Sequence, residues 1–150
     1  MSAESLNLWN TKKLEEVIEE RGKMTSKMGK FVNIVTSCFT VLSYSGGTVK
    51  AFKREQDARP SEWEIVDLRG KITLRHCERN QYVRARRDGI VDLVDSPREW
   101  EMWTPFLNDD KSYSLLSYHG NWMSVQPNGT VGLIDRKESW EKFFIIDPYE

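Results

Sequence analysis

The sequence predicts an all-β fold, and three observations lead to this prediction. Short runs of residues alternate between apolar and polar, as strands with one buried face require. Between these runs stand turn dipeptides that tolerate positive φ. Both features recur at a spacing of about 40 residues, which indicates an internal repeat. The chain has 150 residues, 39% of them hydrophobic, which suits one domain with its own core.

Two markers define the repeat. The first is a Trp-Glu pair, and its copies lie 37 and 40 residues apart. The second is a glycine turn followed by a strand, with copies 42 and 40 residues apart. The pairs are Trp63-Glu64, Trp100-Glu101 and Trp140-Glu141, and the turns are Gly46-Gly47, Asp88-Gly89 and Asn128-Gly129. These dipeptides are typical of tight β-hairpins.

Each repeat is predicted to contain four short strands, the last of them beginning at the tryptophan. Three blades are too few for a propeller, whereas three four-stranded units can close into one barrel without free edges. The sequence therefore predicts a β-trefoil at residues 31–147. Its repeats cover about residues 31–68, 70–107 and 112–147, close to the 40-residue period.

Residues 1–30 do not match the repeat. Residues 11–21 predict a short α-helix that Asn10 or Thr11 could cap, and Gly22 stands where a helix would end. Its apolar stripe is Leu14, Val17 and Ile18. We expect this helix to lie against the barrel, and the alternative is that it docks on a partner or on a second copy as a dimer contact. Residues 23–30 are expected to be a solvated linker.

The second and third repeats resemble fascin-like repeats. Such units have an apolar strand, an Asn-Gly-Lys-Tyr-Leu-like element, a glycine turn with valine, and a Trp-Glu strand. The matching segments here are Leu74, Asn80-Gln81-Tyr82-Val83, Asp88-Gly89-Ile90-Val91 and Trp100-Glu101, then Leu115, Gly120-Asn121-Trp122-Met123, Asn128-Gly129-Thr130-Val131 and Trp140-Glu141. The first repeat lacks the Asn-Gly-Lys-Tyr element.

The resemblance implies a binding module and not an enzyme. Fascins bundle actin with four trefoils, and related single trefoils include actin cross-linkers and a nuclear RNA-associated branch. The matched positions are core and turn positions, so no binding residue carries over. The expected function is protein binding as a cytoskeletal adaptor or scaffold, with actin filaments as the expected partner.

Side chains with reactive groups are few. They are His76, His119, Cys38 and Cys77. The repeat frame separates them around the barrel, too far apart to share one zinc ion, and neither histidine has a recognisable nucleophile partner. We therefore predict no catalytic residue, no metal site and no cofactor.

One charged segment is a candidate for partner binding. Between Arg69 and Arg87 stand seven basic residues against one acid, Glu78. We define the arginine face as the following set, which includes two residues of the first repeat: Arg75, Arg79, Arg84, Arg86, Arg87, Lys53 and Arg54. Arginine binds carboxylates and phosphates bidentately, so an acidic protein surface is the predicted partner. The alternative is that Asp88, Asp92, Asp95 and Glu99 neutralise the face.

Two other ligand classes are alternatives. Ricin-type lectins have Gln two residues before each repeat tryptophan, where this chain has Ser61, Arg98 and Glu138. A sugar could still stack on Trp9, Tyr118 or Trp122. Nucleic acid is the second alternative, but its binders interleave exposed aromatic residues with basic ones, and the arginine face offers only Tyr82.

Composition bears on location and on membranes. The net charge is −1 and no run approaches the roughly 18 apolar residues of a membrane span. The first residues lack the features of a secretory signal. These features predict a cytoplasmic protein, with the nucleus as the alternative, and no membrane partner.

Overall fold

The computed structural model describes Met24, residues 27–53 and residues 62–147 of the chain. These residues form twelve β-strands and two three-residue 3₁₀ turns. The strands are β1 Phe31–Thr36, β2 Thr40–Ser45, β3 Thr48–Lys53, β4 Trp63–Leu68, β5 Lys71–His76, β6 Tyr82–Ala85, β7 Val91–Val94, β8 Thr104–Leu107, β9 Tyr113–Leu116, β10 Trp122–Val125, β11 Val131–Ile134 and β12 Phe143–Ile146. The 3₁₀ turns are Glu99–Glu101 and Ser139–Glu141.

The described strands form one antiparallel sheet that closes on itself. The closed ring has seven strands in the order β1-β2-β3-β7-β6-β5-β4, and β4 returns to β1 through Val32 opposite Trp63. The other five strands extend from β1 through β12, which pairs with it from Asn33 to Thr36. The all-β class predicted from the sequence is therefore confirmed.

The prediction of a β-trefoil of three equivalent four-stranded repeats is wrong. The strands that close the ring all come from the first two predicted repeats. A trefoil would need β5 and β8 to pair as β1 and β4 do, but the bridge found here joins Ile72 of β5 to Trp103, the residue before β8. The physical reason is that residues 99–101 form a 3₁₀ turn, so the backbone there is not extended and β8 begins only at Thr104.

The predicted N-terminal α-helix, including Leu14, Val17 and Ile18, lies outside the described residues. No helix of seven or more residues occurs in the part that is described. In the described part of the predicted linker, the methionines lie against the core and not in solvent. Met24 is buried in the core, and Met28 forms a bridge with Ile65 and packs on the core. This segment is held to the barrel wall because its methionines bury apolar surface there.

The hairpin turns follow from their glycines. Gly46, Gly89 and Gly129 have φ of 62°, 88° and 91°, a region that residues with a Cβ rarely adopt. The hairpin β6–β7 pairs Tyr82 with Val94 and Ala85 with Val91 around the second of these turns. At the third turn the Gly129 carbonyl accepts a hydrogen bond from the Ala51 amide at 2.9 Å. The third turn is therefore tied to β3.

The core is centred on large side chains that are wholly buried. Trp63, Trp103 and Phe143 are each 0% exposed and stand 40 residues apart. The indole N–H of Trp63 donates to the Leu42 carbonyl at 2.9 Å, and that of Trp103 donates to the Val83 carbonyl at 3.1 Å. These bonds satisfy the polar atom of each buried ring.

The predicted role of the Trp-Glu pairs is therefore wrong in two of the three copies. Trp100 is only partly buried and Trp140 is 44% exposed. Both lie in the 3₁₀ turns and not at the start of a strand. By the 40-residue spacing, Trp103 and Phe143 are equivalent to Trp63, and each stands two residues after the glutamate of its pair.

The buried acids follow the same corrected period. Glu62 accepts a hydrogen bond from the Ser43 hydroxyl at 2.5 Å, and Glu141 accepts one from the Ser124 hydroxyl at 2.6 Å. Glu101, 3% exposed, accepts from the Arg98 amide at 2.9 Å. Each glutamate stands one or two residues before a buried aromatic ring, where it fastens the incoming chain to the barrel.

The helices that the structure describes include none long and apolar enough to cross a membrane.

Candidate functional site

Two arginines of the arginine face are neutralised within the β6–β7 hairpin. Arg84 donates to both carboxylate oxygens of Asp92, at 2.8 and 2.6 Å, directly across the two strands. This bidentate bond raises the pKa of Arg84 further, so its guanidinium stays charged. Arg86 lies 2.5 Å from Asp88 and 3.8 Å from Asp92. The two central arginines of the face therefore already have carboxylate partners.

Two further arginines of the face have partners on the barrel wall. Arg75 is 3.1 Å from the Glu64 carboxylate and also donates to the Asn80 side chain. Arg79 donates to the Gln81 side chain at 2.9 Å, and its guanidinium lies over the Tyr44 ring, 4.9 Å from the centroid. Such contacts hold both side chains against the protein.

The remaining members of the face differ from one another. Arg87 is exposed, and no described residue forms an ion pair with it. Lys53 ends β3 and is exposed, and Arg54 lies outside the described residues. Of the predicted set, Arg84 and Arg86 come together on Asp92, while Arg75 and Arg79 have separate partners. Among the described members of the predicted face, Arg75, Arg84 and Arg86 are therefore paired with carboxylates, whereas Arg79, Arg87 and Lys53 are not.

The histidines and cysteines have structural surroundings. His76 is 1% exposed, its Nε2 lies 3.2 Å from the Glu62 carboxylate, and its Nδ1 accepts from the amides of Glu78 and Arg79. Burial, followed by the neighbouring charge of Glu78, raises the pKa of the Cys77 thiol. A thiol held protonated is a poor nucleophile. In the described ranges, no three His, Cys, Asp or Glu side chains are placed to hold a metal ion.

A groove opens beside the neutralised hairpin. Its volume is about 460 Å³, within the range of about 300–1,000 Å³ typical of small-ligand sites. We call it the Trp100 groove, and the lining residues that carry its chemistry are Arg84, Asp95, Arg98, Glu99, Trp100 and Glu101. The 3₁₀ turn and the segment between β7 and that turn form its walls. One aromatic ring and five ionisable side chains therefore face one groove.

The charged side chains of the groove have different partners. One Asp95 oxygen accepts from the Gln81 amide at 2.9 Å, and Glu99 lies 3.6 Å from Arg69 at the rim. Arg98 is exposed and forms no ion pair with any residue that the structure describes. The groove thus offers fixed carboxylate acceptors together with a free guanidinium donor.

Glu101 lies at the base of the groove and is largely shielded from water. Burial raises the pKa of its carboxyl group, and the bond from the Arg98 amide and the charge of Arg84 oppose that rise. The same position holds Glu62 and Glu141 in the other two units, where each bonds a serine hydroxyl. Glu101 therefore belongs to the repeated set of structural acids.

The tryptophan of the groove is supported from the third unit. Its ring meets the His119 imidazole edge to face, with centroids 5.1 Å apart. His119 is anchored in turn by its Nε2, 2.9 Å from the Ala85 carbonyl. Since a carbonyl oxygen only accepts, Nε2 carries the proton. These contacts fix the orientation of the Trp100 ring at the groove.

Sequence reasoning missed the groove but named some of its surroundings. Trp100 was assigned to the core, so its exposure was not expected. The residue two before it, Arg98, was noted only for lacking the lectin glutamine. A signal was present, because Trp100 and Trp103 stand three residues apart and Trp103 is the one that keeps the 40-residue spacing from Trp63.

The aromatic residues considered for sugar stacking, and the positions where a lectin would have glutamine, do not come together in the described structure. Tyr118 is 51% exposed and its ring contacts His119 at 5.8 Å. Trp122 instead packs edge to face with Phe106, and the Lys137 ammonium lies over both rings. Trp9 and Ser61 are outside the described residues. Glu138 precedes the second 3₁₀ turn, away from the groove residues of the first.

Comparison with known proteins gives a fold neighbour and no family. No protein-family model and no curated protein matches this sequence. A solved structure that is similar is the GlcNAcα1-4Gal-releasing endo-β-galactosidase from Clostridium perfringens, with a TM-score of 0.68 and 11% identity over 77% of this chain. This chain spans 31% of that one. At this identity the similarity shows a shared fold alone, and the fascin-like resemblance stays a prediction.

Proposed function

We propose that this chain is a non-enzymatic binding module that takes a carbohydrate in the Trp100 groove. The observation that carries the proposal is the composition of that groove. A partly buried tryptophan lines it together with carboxylates and with Arg98, which has no ion-pair partner among the described residues.

The chemistry of a sugar ring matches these groups. One face of a pyranose carries C–H groups, which pack on an aromatic face, and its edge carries hydroxyls that both donate and accept. Asp95 presents an acceptor already oriented by Gln81, and Arg98 presents donors without a competing partner. Because Asp95 is held by Gln81 before the ligand arrives, little ordering of this acceptor is needed on binding.

The acids of the groove favour binding over hydrolysis. A glycosidase needs a protonated carboxylic acid that reaches the glycosidic oxygen and a second carboxylate opposite it. Glu101 has a raised pKa, but its side chain is 3% exposed and its role is shared with Glu62 and Glu141. Glu99 is exposed and Asp95 is bonded to Gln81. The groove acid whose pKa is raised is therefore one that a bound sugar could hardly reach.

Substitution of Trp100 tests this proposal. We expect wild-type protein to bind members of a glycan array, and Trp100→Ala to bind the same glycans about five- to thirtyfold more weakly, since a ring contact of this kind contributes about 1–2 kcal/mol. Trp140→Ala is the matched control, because Trp140 occupies the same place in the other 3₁₀ turn and is exposed. If the wild-type protein bound no glycan on the array, or if both variants lost the same affinity, the proposal would be contradicted.

A protein partner is the second candidate, and Arg87 is the observation that favours it. Arg87 stands exposed at the tip of the β6–β7 hairpin with no described ion-pair partner. An exposed cation of this kind steers a module toward an acidic protein surface, such as that of an actin filament.

Actin co-sedimentation tests this second candidate. If it is right, wild-type protein pellets with filaments, and Arg87→Glu lowers the pelleted fraction several-fold by turning attraction into repulsion. Arg136→Glu makes the same charge change at an exposed arginine elsewhere and should pellet like wild type. Wild-type protein that stays in the supernatant at high speed would exclude the actin reading.

A further inference from the structure

A run of three rings leads out of the Trp100 groove. Trp100 contacts His119 with centroids 5.1 Å apart, and His119 contacts Tyr118 at 5.8 Å, both edge to face. Tyr118 is 51% exposed at the outer end. An exposed tyrosine alone would need no explanation. One that continues from the aromatic wall of a groove extends the surface on which a ligand can lie.

The segment that carries Tyr118 is fixed in place. The Ser117 hydroxyl oxygen accepts from the amides of His119 and Asn121, and it also bonds the Asn121 side chain. The Ser117 backbone closes the same turn through Asn121 and Gly120. The turn is thus closed by backbone and side-chain bonds at once, so Tyr118 is ordered before any ligand binds.

The charged side chains of the groove lie beside Trp100, and the segment that carries Tyr118 has none of its own. Arg98, Asp95 and Glu99 are on the Trp100 side. Residues 117–121 have the sequence Ser-Tyr-His-Gly-Asn, with no carboxylate, lysine or arginine. A ligand portion over Tyr118 would therefore meet the exposed tyrosine ring and its phenolic hydroxyl. Neutral hydroxylated rings suit these groups, whereas charged ones would gain no partner.

We infer that the Trp100 groove continues over His119 to Tyr118 and accepts a neutral oligosaccharide, with one sugar at Trp100 and a following sugar at Tyr118. The inference rests on the proposed carbohydrate function and adds the ligand's length and a second subsite. Trp100 provides the contact shared by short and long ligands. Tyr118 provides the contact that only longer ligands reach.

A ligand-length series tests the inference. The probes are glucose, galactose, mannose and N-acetylglucosamine, each with its linear di-, tri- and tetrasaccharide, titrated into the full chain. For the series that binds, we expect wild-type affinity to rise about tenfold or more from the monosaccharide to the trisaccharide. Tyr118→Ala should remove that rise, with the affinity of the same variant for the monosaccharide as the reference. Tyr118→Phe keeps the ring and should behave like wild type.

The outcomes separate the two proposals. Wild-type affinity that does not rise with ligand length, or a rise that survives in Tyr118→Ala, overturns the second subsite while single-sugar binding at Trp100 stands. Absence of binding by every probe in the wild-type protein overturns the carbohydrate function itself. Loss of monosaccharide binding in Tyr118→Ala would also contradict the assignment, because it would place the first sugar at Tyr118.

Discussion

Replacing Trp103 by alanine should destabilise the fold by about 3–5 kcal/mol, the range for removing a large buried aromatic ring. The ring is 0% exposed and its indole N–H is bonded to the Val83 carbonyl. The substitution therefore opens a cavity and also leaves that carbonyl without its partner. Urea denaturation of wild-type and variant protein measures the change in the free energy of unfolding.

Trp140→Ala is the matched control, since it removes the same side chain from a position that is 44% exposed. We expect a loss of less than about 1 kcal/mol there, as for other surface substitutions. The two variants together distinguish the observed core from the one predicted from the Trp-Glu pairs. If Trp140→Ala were the more destabilising, the corrected period of Trp63, Trp103 and Phe143 would be wrong.

Replacing Gly129 by alanine should have the second largest effect. Gly129 has φ of 91°, and a Cβ placed on it would lie 2.2 Å from the Ala51 carbonyl oxygen. A methyl group cannot be accommodated unless β3 moves away from the turn, which would break the bond from the Ala51 amide to the Gly129 carbonyl.

Gly89→Ala is an internal control for backbone strain. Gly89 has a closely similar φ of 88°, but a Cβ there meets nothing within 4 Å. It should lose about 1–2 kcal/mol, the cost of left-handed backbone for a residue with a Cβ. Gly129→Ala should lose about 1–3 kcal/mol beyond that. Thermal and urea unfolding provide the values, and equal losses in both variants would contradict the close approach of the third turn to β3.

The sequence predicted strands where local signals are strong. Asp88-Gly89 and Asn128-Gly129 both form turns with glycine at positive φ, flanked by alternating residues. These signals act within a few residues, so they can be recognised without knowing the rest of the chain. How the strands close into a ring depends on pairings such as Val32 with Trp63, which no local pattern specifies.

The core tryptophans were assigned incorrectly because two patterns compete. Trp100-Glu101 and Trp140-Glu141 repeat as dipeptides, yet burial follows the spacing of Trp63, Trp103 and Phe143. A phenylalanine takes the tryptophan's place in the third unit, so a search for identical residues selects the wrong frame. Volume and burial matter to packing, whereas residue identity does not.

The site was beyond sequence reasoning for a related reason. The Trp100 groove exists because Trp100 is turned out of the core, and its support comes from His119 in another unit. The arginine face was visible as a run of like charges, but Asp92 cancels its centre from the facing strand. Cross-strand neutralisation depends on register, which places Arg84 opposite Asp92.

Indole N–H resonances of the wild-type protein test the central claim most directly. The chain has six tryptophans, and the Trp100 resonance is identified by its loss in Trp100→Phe. On titration with a glycan selected on the array, the Trp100 signal should move. Those of Trp63 and Trp103, buried and bonded to backbone carbonyls, should stay in place. Movement of the Trp122 or Trp140 signal with Trp100 unchanged would contradict a carbohydrate site in the Trp100 groove.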